Sequence, residues 1–140
     1  TALRNGNFDE IIACDIAPNL GWVKPVFLYD YPAALGSLAR LKPENKRVAE
    51  RFELYIAGIE ICNAFSELTD SDEQRRRFEV EMRMRQTSGK VIYPFSNPFL
   101  NALDRMPESA GNALGMDRLV MLFADASEID AVVAFTPEVC

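Results

Sequence analysis

Apolar and polar residues alternate along Arg51–Glu67, RFELYIAGIEICNAFSE, and a period of two marks strands with one covered face. Ala57 and Gly58 interrupt the alternation as a two-residue hairpin loop, which sets Ile56 opposite Ile59 and Leu54 opposite Ile61. Phe52, Leu54, Ile56, Ile59 and Ile61 then share one face, the predicted core. The opposite face carries Glu53, Tyr55 and Glu60, so two carboxylates seven residues apart in sequence come together, and such a pair can hold a hard divalent cation. Continued alternation turns Asn63, Phe65 and Glu67 toward the core, and only a β-bulge near Cys62 brings them round to the carboxylates. That bulge is expected. A solvated sheet face without chemistry would show the same alternation.

The rest of the chain alternates between helical spacing and breaks. Phe8, Ile11, Ile12 and Ile16 predict a short amphipathic helix stopped by Pro18, Asn19 and Gly21. VFLYDYP, closed by Pro32, reads as a strand, and Ala33 to Lys46, with Pro43 and Asn45, as an irregular connection or a short helical turn. After the hairpin, Asp70 and Glu73 have the spacing of a capping box, and Gly89 marks the end of the helix they open. Three favourable Glu–Arg pairs lace it, Glu73 with Arg77, Glu79 with Arg83 and Glu81 with Arg85, beside a narrow Phe78–Met82 stripe. Arg75, Arg76 and Arg77 read as a charged exposed face rather than a site. Phe99, Leu100, Leu103 and Met106 suggest a second short helix before Pro107. GNALGM reads as a small-residue strand running into a helix, DRLVMLFAD, that buries Leu119, Val120, Leu122 and Phe123, and Ile129 to Phe135 as a last strand or short helix ending at Pro137.

Composition narrows the chemistry. In 140 residues, 49% hydrophobic and 26% charged content suits one domain with a real core. No stretch approaches the roughly 20 apolar residues of a membrane span, and TALRNGNFDE lacks a signal-peptide core, so the expected location is the cytoplasm. Thr1 in place of an initiator methionine suggests a missing amino-terminal part, although methionine removal leaves the same residue. Cys14, Cys62 and Cys140 are widely spaced and odd in number, as suits reduced thiols. Histidine is absent, which excludes a histidine base within this chain. A net charge of −6 gives no general footprint for nucleic acid.

The junction from Gly115 to Arg118 is the second candidate site. A helix starting there would turn its amide groups and positive dipole end outward, and Arg118 adds a guanidinium suited to polyphosphate. The competing expectation is an Arg118 salt bridge beside an Asp117 that favours the helix start.

Two segments, RFELYIAGIEICNAFSELTD and GNALGMDRLVMLFAD, resemble the last part of class II lysyl-tRNA synthetases and of their stand-alone paralogues, the (R)-β-lysine ligases that modify elongation factor P. VFLYDYPAALGSLAR upstream and the VVAFTP tail extend the resemblance over nearly the whole chain. It implies an α+β fold, part of the class II antiparallel sheet flanked by helices, with 1–140 as the carboxyl-terminal portion of a catalytic domain. GMDRLVML looks like motif 3, whose arginine contacts the ATP γ-phosphate, a role that falls to Arg118 with Gly115 beside it. Glu53 and Glu60 match the family's Mg2+ and ATP carboxylates, and Asn63, Phe65 and Glu67 its lysine pocket, with Glu67 facing the substrate ammonium. Ala113 stands where the synthetases usually have glycine and the ligases alanine, and Cys62 and Ala64 where synthetases commonly have glycines. Motifs 1 and 2, with the motif 2 arginine, are not among these residues, so the chain alone is expected to be inactive. The implied activity is adenylation of (R)-β-lysine or lysine and transfer to a lysine of elongation factor P, by a full-length homodimer. The alternatives are a lysyl-tRNA synthetase fragment charging tRNA and a non-catalytic binding or assembly module.

Overall fold

A computed structural model of the chain describes residues 7–136. In chain order its main elements are α1 (Phe8–Ile11), β1 (Val26–Pro32), β2 (Val48–Ile56), β3 (Ile59–Ser66), α2 (Ser71–Thr87), α3 (Asn97–Leu103), β4 (Ala110–Leu114) and α4 (Met116–Phe123). The strands form one antiparallel sheet in the order β1-β2-β3-β4, so the expected α+β class holds. Among the described residues two compact units divide the chain: one takes residues 7–29, 52–64 and 112–136, the other Asp30–Arg51 and Phe65–Gly111.

In the first unit, α1 passes into a wider helical turn over Ile12–Ile16 and a tight one over Ala17–Asn19, ending where Pro18 and Asn19 predict. The hairpin turns at Ala57 (φ 51°) and Gly58 (φ 77°), both in the left-handed region that matches the twist of a two-residue loop. Its tip is strapped by the preceding segment: Ala57 N–H donates to Gly21 O at 3.0 Å and Gly58 N–H to Leu20 O at 2.7 Å. The predicted core face needs correction. Ile61 is buried, but Phe52, Leu54, Ile56 and Ile59 are only half-buried, Phe52 packing on Phe27 in a T-shaped arrangement with ring centroids 5.5 Å apart. The deeply buried residues of β2 in this unit are Glu53 and Tyr55, 6% and 3% exposed. Polar side chains can occupy such positions when they bond one another, as these do. The helix α4 is also less covered than its periodicity predicts: Met121 is buried, Leu119 and Leu122 are half-buried, and Val120 and Phe123 face outward.

In the second unit a short segment enters the sheet, with bridges from Ala39 to Glu67 and from Leu41 to Ala49. Ala39 and Ala49 are completely buried, small side chains that let the backbones close up. Arg40 closes the edge by pairing with Glu50 at 2.9 Å and Glu108 at 3.2 Å. Asp70 caps α2 by accepting from the backbone N–H of Asp72 and Glu73. Only that half of the predicted capping box forms, because the Glu73 carboxylate takes Arg76 and Arg77 instead, at 2.8 and 2.9 Å. The Arg76 hydrogen bond, opposed by partial burial and reinforced by Arg77, holds the Glu73 carboxyl at about 2 against an ordinary 4.5. Gly89 (φ 66°) ends the helix in a Schellman turn: its N–H reaches Gln86 O and that of Lys90 reaches Arg85 O. Glu79 and Arg83 pair loosely at 3.8 Å, whereas Arg85 leaves Glu81 to donate to Val91 O and lie over the Tyr93 ring. Phe78 packs on Phe95 and on Phe99 of α3, whose Leu100 and Leu103 are buried.

Asp70→Ala is expected to lower stability by about 1 kcal/mol, since both capped amides lose their partner. Urea denaturation measures it, and an unchanged midpoint with an unchanged slope would show that the cap contributes nothing.

Candidate active site

At the centre of the first unit the Glu53 carboxylate is held from two sides. The Tyr55 hydroxyl donates to Oε2 at 2.6 Å and Asn63 Nδ2 donates to Oε1 at 3.0 Å. Tyr55 reaches it because residues two apart on a strand share a face. Asn63 reaches it for a less local reason. With Ile56 opposite Ile59, regular pairing would send Asn63 to the other side of the sheet, and no side chain bonds through a sheet. A bulge between Ile59 and Asn63, as the sequence leads one to expect, accounts for the Asn63 bond to Glu53. The result is a buried carboxylate whose orientation is fixed by two neutral donors.

Glu60 lies with Arg118. The guanidinium Nη1 donates to Glu60 O at 2.9 Å and stands 3.7 Å from Glu60 Oε2. The arginine thus pairs with a residue 58 positions away rather than beside Asp117. Gly115 caps the start of α4, donates its own N–H to Ile61 O at 2.9 Å, and would carry a Cβ 3.3 Å from Arg118 Cδ. Its lack of a side chain leaves the arginine stem room to cross. Arg118 remains 48% exposed, so a guanidinium with five N–H groups stands at the surface of this unit.

The bonds of Tyr55 and Asn63 to Glu53 and the contact of Arg118 with Glu60 do not by themselves test the expected cation pair. Glu53 bonds Tyr55 and Asn63 and Glu60 meets Arg118, and among the described residues no group of three or more His, Cys, Asp or Glu side chains forms a metal cage. That donor set fits Mg2+ in one mode, with one or two protein carboxylates while substrate phosphates and water supply the other oxygens.

Of the predicted amine-pocket residues, Asn63 belongs to the Glu53 network, while Phe65 and Glu67 belong to the second unit, both half-buried. The Glu67 backbone N–H donates to Ser109 O at 2.9 Å, and its carboxylate Oε1 lies directly over the Cα of Gly111. Ala113 is exposed on β4. Two residues escaped the sequence reading. Tyr55 was legible only as a neighbour of Glu53 on the same face, and Gly111 only as one more small residue.

A family model of class II tRNA synthetases (D, K and N) matches residues 9–138. The chain belongs to the class II tRNA synthetase family. Among curated relatives, the elongation factor P–(R)-β-lysine ligase of Erwinia tasmaniensis is 50% identical over 126 residues, covering 89% of this chain and 39% of the relative. Its namesake in Pectobacterium atrosepticum is 48% identical over 136 residues, 96% of this chain and 42% of the relative. That of Edwardsiella ictaluri is 46% identical over 127 residues. The chain therefore spans about two fifths of the length of these relatives. As a class II synthetase domain, its antiparallel sheet carries the carboxylate network on β2 and β3, and α4 carries the arginine. No helix of the described residues is long and apolar enough to cross a membrane.

Proposed function

We propose that the chain forms the carboxyl-terminal part of the catalytic domain of an ATP-dependent ligase. This enzyme adenylates (R)-β-lysine, or lysine, and transfers it to a lysine amine of elongation factor P, acting in the cytoplasm as a homodimer. The observation that carries the proposal is the buried Glu53 carboxylate fixed by Tyr55 and Asn63, in a chain whose Arg118 is held at Glu60. The relatives' names support the choice of substrate and acceptor.

In the first step an amino-acid carboxylate attacks the α-phosphate of ATP, anion against anion. Arg118 stabilises the negative charge gathering on the leaving pyrophosphate through paired hydrogen bonds to phosphate oxygens. Glu53 and Glu60 would hold Mg2+, which supplies charge neutralisation across the phosphates when bound. Glu67 balances the substrate ammonium, since an amine drawn out of water needs a negative partner, and Asn63 and Phe65 are the other residues assigned to the amine. The amine of elongation factor P then displaces AMP from the aminoacyl adenylate, leaving an amide. Ala113 favours the ligase over a lysyl-tRNA synthetase, because one added methyl group in a pocket wall shifts substrate choice by about 1 to 3 kcal/mol.

The test captures the native polypeptide from its own cells with an antibody against this chain. ATP–pyrophosphate exchange is measured with each amine, followed by transfer of labelled amine to elongation factor P or to tRNA. Exchange stimulated by (R)-β-lysine, with label appearing on elongation factor P, is the expected result. Label on tRNA would make the protein a synthetase, and a native product with neither exchange nor transfer would make it a binding module.

A further inference from the structure

We propose that Gly111 is a positioning residue for amine recognition: its missing side chain is the space in which the Glu67 carboxylate rests. The inference builds on the reading of Glu67 as the counter-charge of the substrate amine.

A Cβ placed on Gly111 would meet Glu67 Oε1 closer than non-bonded atoms can approach, and would next meet Glu67 Cδ at 3.5 Å. No other atom of the described residues stands within 4 Å of that position once the adjoining residues are set aside. Backbone conformation does not explain the glycine, because its φ lies outside the left-handed region that glycine alone enters readily. The remaining explanation is room for one carboxylate.

The Glu67 backbone cannot give way in its place. Its N–H donates to Ser109 O at 2.9 Å, it bridges to Ala39, and the next residue donates from Leu68 N–H to Leu38 O at 2.9 Å. An alanine at 111 is therefore accommodated by rotation of the Glu67 side chain, which carries the carboxylate away by about 1 Å. Such a rotation of a flexible, half-buried side chain costs little stability. For recognition it matters far more, because an ångström of misplacement at a reacting or binding group changes rates by up to about 100-fold. Gly111 is thus not a contact of the amine. It sets where the contact stands.

In the native polypeptide, Gly111→Ala is expected to raise the KM for the amine in ATP–pyrophosphate exchange by about 10- to 100-fold. The KM for ATP and the melting temperature should stay close to the parent, which a merely structural role would not allow. Glu67→Gln alone should raise the amine KM at least as much, and adding Gly111→Ala to it should change little further, because the charge being displaced is already gone. Glu67→Asp, whose carboxylate stops one methylene short of Gly111, should also raise the amine KM and gives an answer even if the alanine variant does not fold. An unchanged amine KM in Gly111→Ala, or in Glu67→Asp, alongside a raised one in Glu67→Gln, would overturn the role of Gly111 and leave that of Glu67 standing. An unchanged amine KM in Glu67→Gln would overturn both.

Discussion

Arg118→Ala is expected to reduce ATP–pyrophosphate exchange by the native polypeptide about 100- to 1,000-fold while leaving the preference among amines unaltered. The range follows from removing one preorganised donor aimed at developing charge. Selectivity should survive because the arginine stands at the start of α4 against Glu60, while discrimination between amines is assigned to Asn63, Phe65, Glu67 and Ala113. The fold should survive as well. The side chain is nearly half exposed, so losing its ion pair with Glu60 changes stability by less than about 1 kcal/mol. One complication is that the variant also releases Glu60, whose carbonyl oxygen loses its 2.9 Å donor. Arg118→Lys separates the two effects: an ammonium restores the charge near Glu60 but cannot form the two parallel bonds that a guanidinium offers phosphate. Melting behaviour near wild type with exchange still at least tenfold down would assign the loss to phosphate recognition. Normal exchange in Arg118→Ala would remove the arginine from the chemistry.

What the sequence reveals here is what local chemistry decides. β1 occupies VFLYDYP, the hairpin turns at Ala57 and Gly58, Asp70 caps α2 and Gly89 closes it, each through a short-range rule of backbone conformation or capping. Alternation distinguishes the two faces of β2 but does not say which one is covered. Glu53 and Tyr55 are buried more deeply than Phe52 and Leu54 because a hydroxyl and an amide satisfy the carboxylate, and one of those donors comes from another strand. The Asn63 bond to Glu53 was legible only as a condition: the amide can reach Glu53 only if the strand bulges. The partners of Arg118 and Arg85 were not legible at all. Arg118 meets a residue 58 positions earlier, and Arg85 exchanges its helical partner for an aromatic face and a carbonyl in the following loop. Helical spacing likewise overstated the burial of α4, since an apolar stripe states a capacity for contact and not the presence of a neighbour.

The other large effect belongs to the centre of the Glu53 network. Glu53→Gln keeps the size and shape of the side chain and removes its charge. Its amide oxygen can still accept from Asn63, and its NH2 group can donate to a Tyr55 hydroxyl that turns to accept, so the buried hydrogen bonds have a workable rearrangement. Stability should therefore change little, while a cation loses one of its two proposed carboxylate ligands. Exchange is expected to fall about 1,000-fold, with the Mg2+ concentration for half-maximal activity raised. Tyr55→Phe supplies the intermediate case. It preserves the ring and the charge on Glu53 but removes the 2.6 Å bond, leaving the carboxylate oriented by Asn63 among its known donors. A loss of about tenfold is expected, in keeping with one hydrogen bond to a charged group at about 1.5 kcal/mol. Binding of Mn2+ with a non-hydrolysable ATP analogue, followed by electron paramagnetic resonance, reads the same order without turnover: wild type tightest, Tyr55→Phe weaker, Glu53→Gln weakest. If Tyr55→Phe were as damaging as Glu53→Gln, the hydroxyl would have a role of its own beyond orienting the carboxylate. If Glu53→Gln bound and reacted normally, Glu53 would be a structural residue, buried with Tyr55 and Asn63 among its partners.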